Sequence, residues 1–396
     1  MARNIAIGID IGTYQIKVVA AEHLQGDKMR PKVLGTGFAE SRGLRHGYIV
    51  NVSEVTRSLK NALAQVEKTS QLPIKKAYIS VGGIGISSTV SQGSALISRA
   101  DSEITELDLS KVMEACENSI PASLTQNRRV IHRIPLQYKI DGKLSLGDPV
   151  GMKGMKLEIK AMFVTCLEQH LKSLIEAVEE TGVEVIAEVA SPIAAAHVTL
   201  TKAQKIAGCV LANIGSETLS IVVFENDIPT SLEVFPIGST DITKDIALGL
   251  RIPLEEAESI KHGSITATSF PKKKLDEIVA ARLSDMFELI EAHLKKIGRN
   301  GLLPAGIIIT GGGSSIVDIA EIAKSSLRLP SRVAHINFPD KGSARFDDTL
   351  FAVAYGLCIL GLTQDLDDGE GMLGGFIRGK GGAFGGIKSW IKQFLP

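Results

Sequence analysis

Three glycine turns, each following an apolar run, are the residues here whose type and spacing suit chemistry. Asp10-Ile11-Gly12-Thr13 ends the run Ile5 to Asp10, Asn213-Ile214-Gly215-Ser216 ends Cys209 to Ile214, and Gly311-Gly312-Gly313 ends Gly306 to Thr310. Glycine lets backbone amides approach a ligand closely, and the Thr13 hydroxyl adds a donor, so such turns suit phosphate oxygens. Asp10 suits a magnesium ion held through water, and the second turn suits the same phosphates from the opposite side. The third turn, placed before a helix expected over 315–326, puts backbone at the positive end of a dipole. Lys17 reads either as a phosphate ligand or as a solvated strand edge. One glycine turn between strands is commonplace; three in this order point to a nucleotide.

The end of the chain carries a different chemistry. Ile387, Trp390, Ile391, Phe394 and Leu395 fall on one helical face and Lys388 and Lys392 flank it. A helix over 387–396 is about 15 Å long, too short to cross a bilayer and suited to lie in its interface. The stretch 365–386 before it is acidic at first and then glycine-rich, which makes it a flexible tether. That tether argues against a helix docked on its own domain. Trp390 and the two lysines favour an anionic membrane surface. One such tail anchors weakly, because about 1–2 kcal/mol per inserted side chain is set against an ordering cost on the order of 10 kcal/mol. Many tails on one assembly share a docking event and hold far better.

Positioning these residues requires an α/β framework. Strand, glycine turn and strand recur at residues 5–22 and 209–224, the mark of an internal duplication. A helical stripe covers 53–68 with Ser53 placed to cap it, and a strand covers 77–81. From Gly82 to about Thr165 the texture changes to an acidic helix near 106–119 and strands at 130–140 and 156–164, an inserted α+β subdomain. Helices follow near 167–182 and 192–202, then 240–250, 254–262 and 272–297.

Composition narrows the function. Across 396 residues, 44 basic and 44 acidic side chains cancel, leaving no bulk field for nucleic acid. A mean hydropathy of +0.16 excludes global disorder. Phe, Tyr and Trp number 12, 5 and 1 against 39 glycines, so backbone rather than stacking is the expected binding surface. Cys116, Cys166, Cys209 and Cys358 lie far apart and read as buried fillers in a reducing compartment. The N-terminus lacks a signal peptide's apolar stretch, so the cytosol is the expected compartment.

The three turns resemble the phosphate and adenosine motifs of the actin and Hsp70 ATPase superfamily. Within it, IHRIPLQYKIDG, DPVGMKGMKLE and the segments at Thr243–Ala247 and Ala257–Gly263 are similar to the FtsA family of cell-division proteins. The resemblance implies an α/β, actin-like two-lobed ATPase fold with an inserted α+β subdomain and a C-terminal amphipathic helix. In it, 1–83 with 165–204 and about 350–364 form the first lobe, and 84–164 the insert. The second lobe is 205–238 with 300–349, and 239–299 is its small subdomain. It implies ATP and Mg2+ in the cleft, with Glu258 and Lys261 on the ribose and beside the purine, and filament formation. It implies the C-terminal peptide of FtsZ as partner, with Lys295, Lys296 and Arg299 as its basic contact, and further division proteins beyond it. The location implied is peripheral, on the cytoplasmic face of the membrane at the division site. Two positions depart from the superfamily: Asn213 stands for an aspartate, and Ser191 for an acidic or amide residue before Pro192. Both losses point to slow or absent hydrolysis. The competing readings are a pilus-assembly scaffold and a small-molecule kinase of the same fold.

Overall fold

The computed structural model describes residues 4–23, 31–263, 272–336 and 349–367. The first hairpin forms as expected: β1 (Asn4–Ile11) pairs antiparallel with β2 (Gln15–His23), setting Asp10 opposite Lys17. β3 (Lys32–Glu40) extends it, a strand that the two glycines in KVLGTGFAE hid from the sequence pattern. A tight hairpin, β4 (Leu44–Arg45) and β5 (Tyr48–Ile49), leads into α1 (Val52–Ser70). The cap of α1 is Asn51, whose side chain accepts from the Glu54 amide, rather than Ser53, which lies inside the first turn. β6 (Lys76–Val81) then runs parallel to β1.

The segment after β6 folds around its own core. β7 (Ser87–Leu96) precedes α2 (Glu106–Asn118), α3 (Ala122–Thr125), β8 (Arg128–Ile140), β9 (Lys143–Leu144) and β10 (Lys156–Leu167). The sheet order is β7-β10-β8-β9, and Leu109, Val112, Met113, Leu157 and Phe163 are buried within it. β7 reads SSTVSQGSAL, too polar to announce a strand. Its long pairing with β10 makes it one.

α4 (Glu168–Glu179) returns the chain to the first sheet as β11 (Glu184–Ala190), followed by α5 (Ser191–Thr199) and α6 (Lys202–Ala207). The single helix expected over 192–202 is thus two, because Thr201 starts a new capping box with Gln204. The second sheet contains β12 (Cys209–Ile214), β13 (Leu219–Glu225) and β14 (Ile228–Phe235). Then come α7 (Ser239–Leu250), α8 (Leu254–Lys261), α9 (Lys272–Lys296) and β15 (Ile307–Thr310). α10 (Ile319–Leu327), β16 (Ser331–Val333) and α11 (Ala352–Asp367) complete the described chain.

The two large sheets have one topology. The first runs β11-β6-β1-β2-β3 and the second β16-β15-β12-β13-β14, each an antiparallel meander with two parallel strands added beside its first strand. The duplication expected from residues 5–22 and 209–224 therefore extends over five strands. Ligands of such sheets bind beyond the carboxyl ends of the parallel strands, which is where the glycine turns lie.

α11 continues to Asp367, past residue 365 where the tether was expected to begin. The tether beyond residue 367 and the amphipathic helix over 387–396 lie outside the described residues. Among the described residues, no helix is long and apolar enough to cross a membrane.

Candidate functional site

A cleft of about 880 Å³ opens between the carboxyl ends of the two sheets, within the size range of small-molecule sites. Asp10, Gly12, Thr13 and Lys17 line it from the first sheet and Asn213, Gly215, Ser216, Gly311 and Gly312 from the second. The fold therefore converges three turns that lie far apart in sequence. Gly313 is not on the wall; it packs against Ile214.

The first turn is braced from below. Asp10 is 8% exposed, accepts from Ser80 Oγ at 2.9 Å, and has Lys17 Nζ 3.6 Å away. Ser80 Oγ in turn accepts from the Ile11 amide at 3.3 Å. A buried carboxylate with one hydroxyl donor and one cation keeps capacity for further donors. Thr13 Oγ1 accepts from the Gly47 amide at 3.0 Å, which orients its own proton away from that amide.

The second turn is anchored on α7. The Ser239 and Thr240 amides donate to the carbonyls of Gly215 and Ser216 at 2.9 and 2.8 Å, while Asp241 Oδ2 accepts from the Gly238 amide. At the third turn, Gly311 has φ +88°, and a β-carbon there would overlap Asn213 Oδ1. Glycine is required on both counts. The helix expected at 315 begins later: a 3-10 turn over Gly312–Ser315 intervenes and α10 starts at Ile319. Its dipole is thus set back from the wall. What the third turn offers is backbone.

Glu258 and Lys261 have different places. Glu258 lines the cleft, whereas the Lys261 side chain is 2% exposed and lies behind the wall. Its ammonium donates to Glu258 Oε2 at 2.7 Å, to Thr243 Oγ1 at 2.9 Å and to the Ser239 carbonyl at 3.3 Å. Thr243 Oγ1 also donates to Glu258 Oε2, and His262 Nε2 lies 3.1 Å from Oε1. Partial burial pushes the Glu258 carboxyl upward, but the hydrogen bonds from Lys261, Thr243 and His262 prevail and hold it below its ordinary value.

Several wall residues escaped the sequence reading. Gly82 and Gly83 follow β6 as Gly311 and Gly312 follow β15, and the duplication was the signal that could have found them. Tyr14 and Glu217 also line the cleft, without a sequence signal of their own, and His262 joins them from the 257–263 segment that the family resemblance singled out. Ser191 is on the wall, but its hydroxyl donates to the Val81 carbonyl at 2.9 Å.

The basic trio at the end of α9 lies elsewhere and is largely spent. Arg299 Nε is 2.7 Å from both oxygens of Glu225 and Lys295 Nζ is 2.9 Å from Glu291. Lys296 adds a positive charge near Glu233 and His293. All four cysteines are free and buried, and burial pushes the Cys209 and Cys358 thiols up to about 12. They are fillers, as composition suggested.

Comparison with known proteins agrees with this architecture. Residues 210–356 match the family model for the cell division protein FtsA, and residues 83–165 match that for the SHS2 domain inserted in FtsA. The cell division protein FtsA of Bacillus subtilis (strain 168) is 30% identical over 356 residues, covering 85% of this chain and 79% of that protein. In structure, the chain is similar to a PilM-PilN type IV pilus biogenesis complex, with TM-score 0.66 at 17% identity over 90% of this chain and 98% of that one. It is also similar to MreB5 of Spiroplasma citri bound to ADP, with TM-score 0.53 at 14% identity over 93% and 99%. The fold is the actin-like two-lobed α/β fold with an inserted SHS2 domain.

Proposed function

The chain belongs to the FtsA family of cell-division proteins, and from that premise we propose that it is an ATP-binding, polymerising peripheral membrane protein. It tethers the FtsZ ring to the cytoplasmic face of the membrane at the division site and recruits further division proteins. The observation that carries the nucleotide reading is the meeting of three glycine turns around one cleft of about 880 Å³. The residues fit the ligand: glycine is forced at 311 by the approach of Asn213, and Asp10 and Lys17 set opposite charges on the floor.

Bound Mg-ATP would supply an electrophilic phosphorus and a charge-neutralising cation. Gly12, Thr13, Gly215 and Ser216 would donate to phosphate oxygens and Lys17 would add positive charge. Asp10 would hold the ion through water; among the described residues no cluster of three metal-ligating side chains exists to grip it directly. Glu258, oriented by its hydrogen bonds from Lys261 and Thr243, would accept from a ribose hydroxyl. Asn213 carries an amide that cannot take a proton, and the Ser191 hydroxyl is committed to Val81. Hydrolysis is therefore slow or absent, and ATP acts by setting the angle between lobes.

Assembly follows from the weakness of a single terminal anchor. Filament formation shares one membrane docking among many copies, so ATP, polymer and membrane become coupled. Calorimetric titration of the full chain with ATP and magnesium tests the first link, and sedimentation with anionic vesicles tests the last. Absence of heat at millimolar ATP would overturn the nucleotide reading. The likeness to a pilus-biogenesis protein is one of fold.

A further inference from the structure

The β4–β5 hairpin ends in the turn His46-Gly47, with φ of 48° and 79°. Its base is fixed to the first lobe at several points. The Gly47 amide donates to Thr13 Oγ1 at 3.0 Å, the His46 carbonyl accepts from the Ile84 amide at 3.3 Å, and the Tyr48 ring lies 4.7 Å from that of His170. Gly47 packs so closely on Gly83 that a β-carbon would overlap its α-carbon. From this anchored turn, the His46 amide reaches the second lobe and donates to Glu217 Oε2 at 2.5 Å. His46 Nδ1 lies 3.3 Å from the Glu217 carbonyl. Adjacent residues thus hold Thr13 of the first glycine turn and Glu217 of the second.

We propose that the His46-Gly47 turn is a clasp across the cleft that positions the two phosphate-facing turns and controls release of the nucleotide; this rests on the ATP reading above. Glu217 lines the same cleft, and a carboxylate free to swing there would turn towards a polyphosphate and repel it at close range. The amide of His46 fixes it. A hydrogen bond to an ionised carboxylate is charge-assisted and stronger than one between neutral groups. Glu217→Ala removes the acceptor, Glu217→Gln keeps a neutral one, and Gly47→Ala lifts the turn by steric overlap with Gly83 while leaving Glu217 intact.

The test is release of radiolabelled ATPγS from the full chain in magnesium buffer, chased with unlabelled ATP. Distances between spin labels at Lys60→Cys on α1 and Lys273→Cys on α9 are measured in parallel without nucleotide. The native cysteines are buried, and both lysines are exposed. Glu217→Ala and Gly47→Ala should each release about ten-fold faster, equivalent to about 1.4 kcal/mol, with a longer and broader distance distribution, and Glu217→Gln, which keeps a neutral acceptor, should fall between the parent and Glu217→Ala. Parental rates and distances in both Glu217→Ala and Gly47→Ala would overturn the clasp, as would Glu217→Gln behaving like Glu217→Ala. A parent chain that retains no ATPγS defeats the nucleotide reading instead, and the distance measurement alone then decides the clasp.

Discussion

Asn213 Oδ1 fills the space that a β-carbon on Gly311 would need, so the side chain at 213 and the absence of one at 311 are one packing relationship. The two meet because β12 and β15 are parallel neighbours that place Asn213 beside Thr310. A change at either position is felt at the other.

Gly311→Ala should destabilise the protein by about 1–3 kcal/mol, since it combines a left-handed backbone with overlap on Asn213. Denaturant unfolding measures the cost. ATP affinity should fall with it, and a variant of unchanged midpoint would contradict the packing described.

Asn213→Asp restores a carboxylate on the cleft wall and should raise turnover of bound ATP by at least about ten-fold. Phosphate release from the parent should take longer than minutes. Faster turnover in the parent would remove the argument for a slow nucleotide switch.

Lys261→Met removes a charge-assisted hydrogen bond that orients the Glu258 carboxylate. ATP affinity should drop by about ten-fold, the scale of a charge-assisted hydrogen bond, and the double variant with Glu258→Gln should cost less than the two single changes added together. Additive losses would mean that Lys261 touches the nucleotide by itself.

Acid should weaken the fold through buried histidines. Burial pushes His132 and His293 down to about 4 and His197 to about 3. His132 Nε2 accepts from the Ala190 amide, which requires the neutral ring. The unfolded chain binds these protons near its ordinary value of 6.5 while the folded chain refuses them until about 4. Stability is thus complete above pH 6.5 and falls as pH drops through that window, by at most about 1.4 kcal/mol per unit per residue. Urea midpoints from pH 7 to 4 measure the slope, and His132→Gln should make it shallower.

Removing residues 387–396 should abolish sedimentation with anionic vesicles. Trp390, the sole tryptophan, should shift its emission to the blue when vesicles are added to the full chain. Emission unmoved by vesicles under assembly conditions would defeat the anchor.

Much of this molecule is written in short-range pattern. Glycine after an apolar run and a return to apolar residues announce a hairpin, and β1–β2 and β12–β13 are both there. Strands such as β7 and β11 were illegible for the same reason in reverse. SSTVSQGSAL and EVIAEVA carry little apolar contrast, and only pairing with β10 and β6 makes them strands.

By itself the sequence determined the turns, their order and the duplication, because those depend on backbone freedom and on hydrophobic period within a few residues. Tertiary structure alone decided that Lys261 serves Glu258 from behind the wall, that Gly311 belongs to Asn213, and that His46 reaches Glu217. That last pair is separated by 171 positions. Hydrogen bonds across such spans are chosen by the packing of two sheets, and no local pattern carries that information.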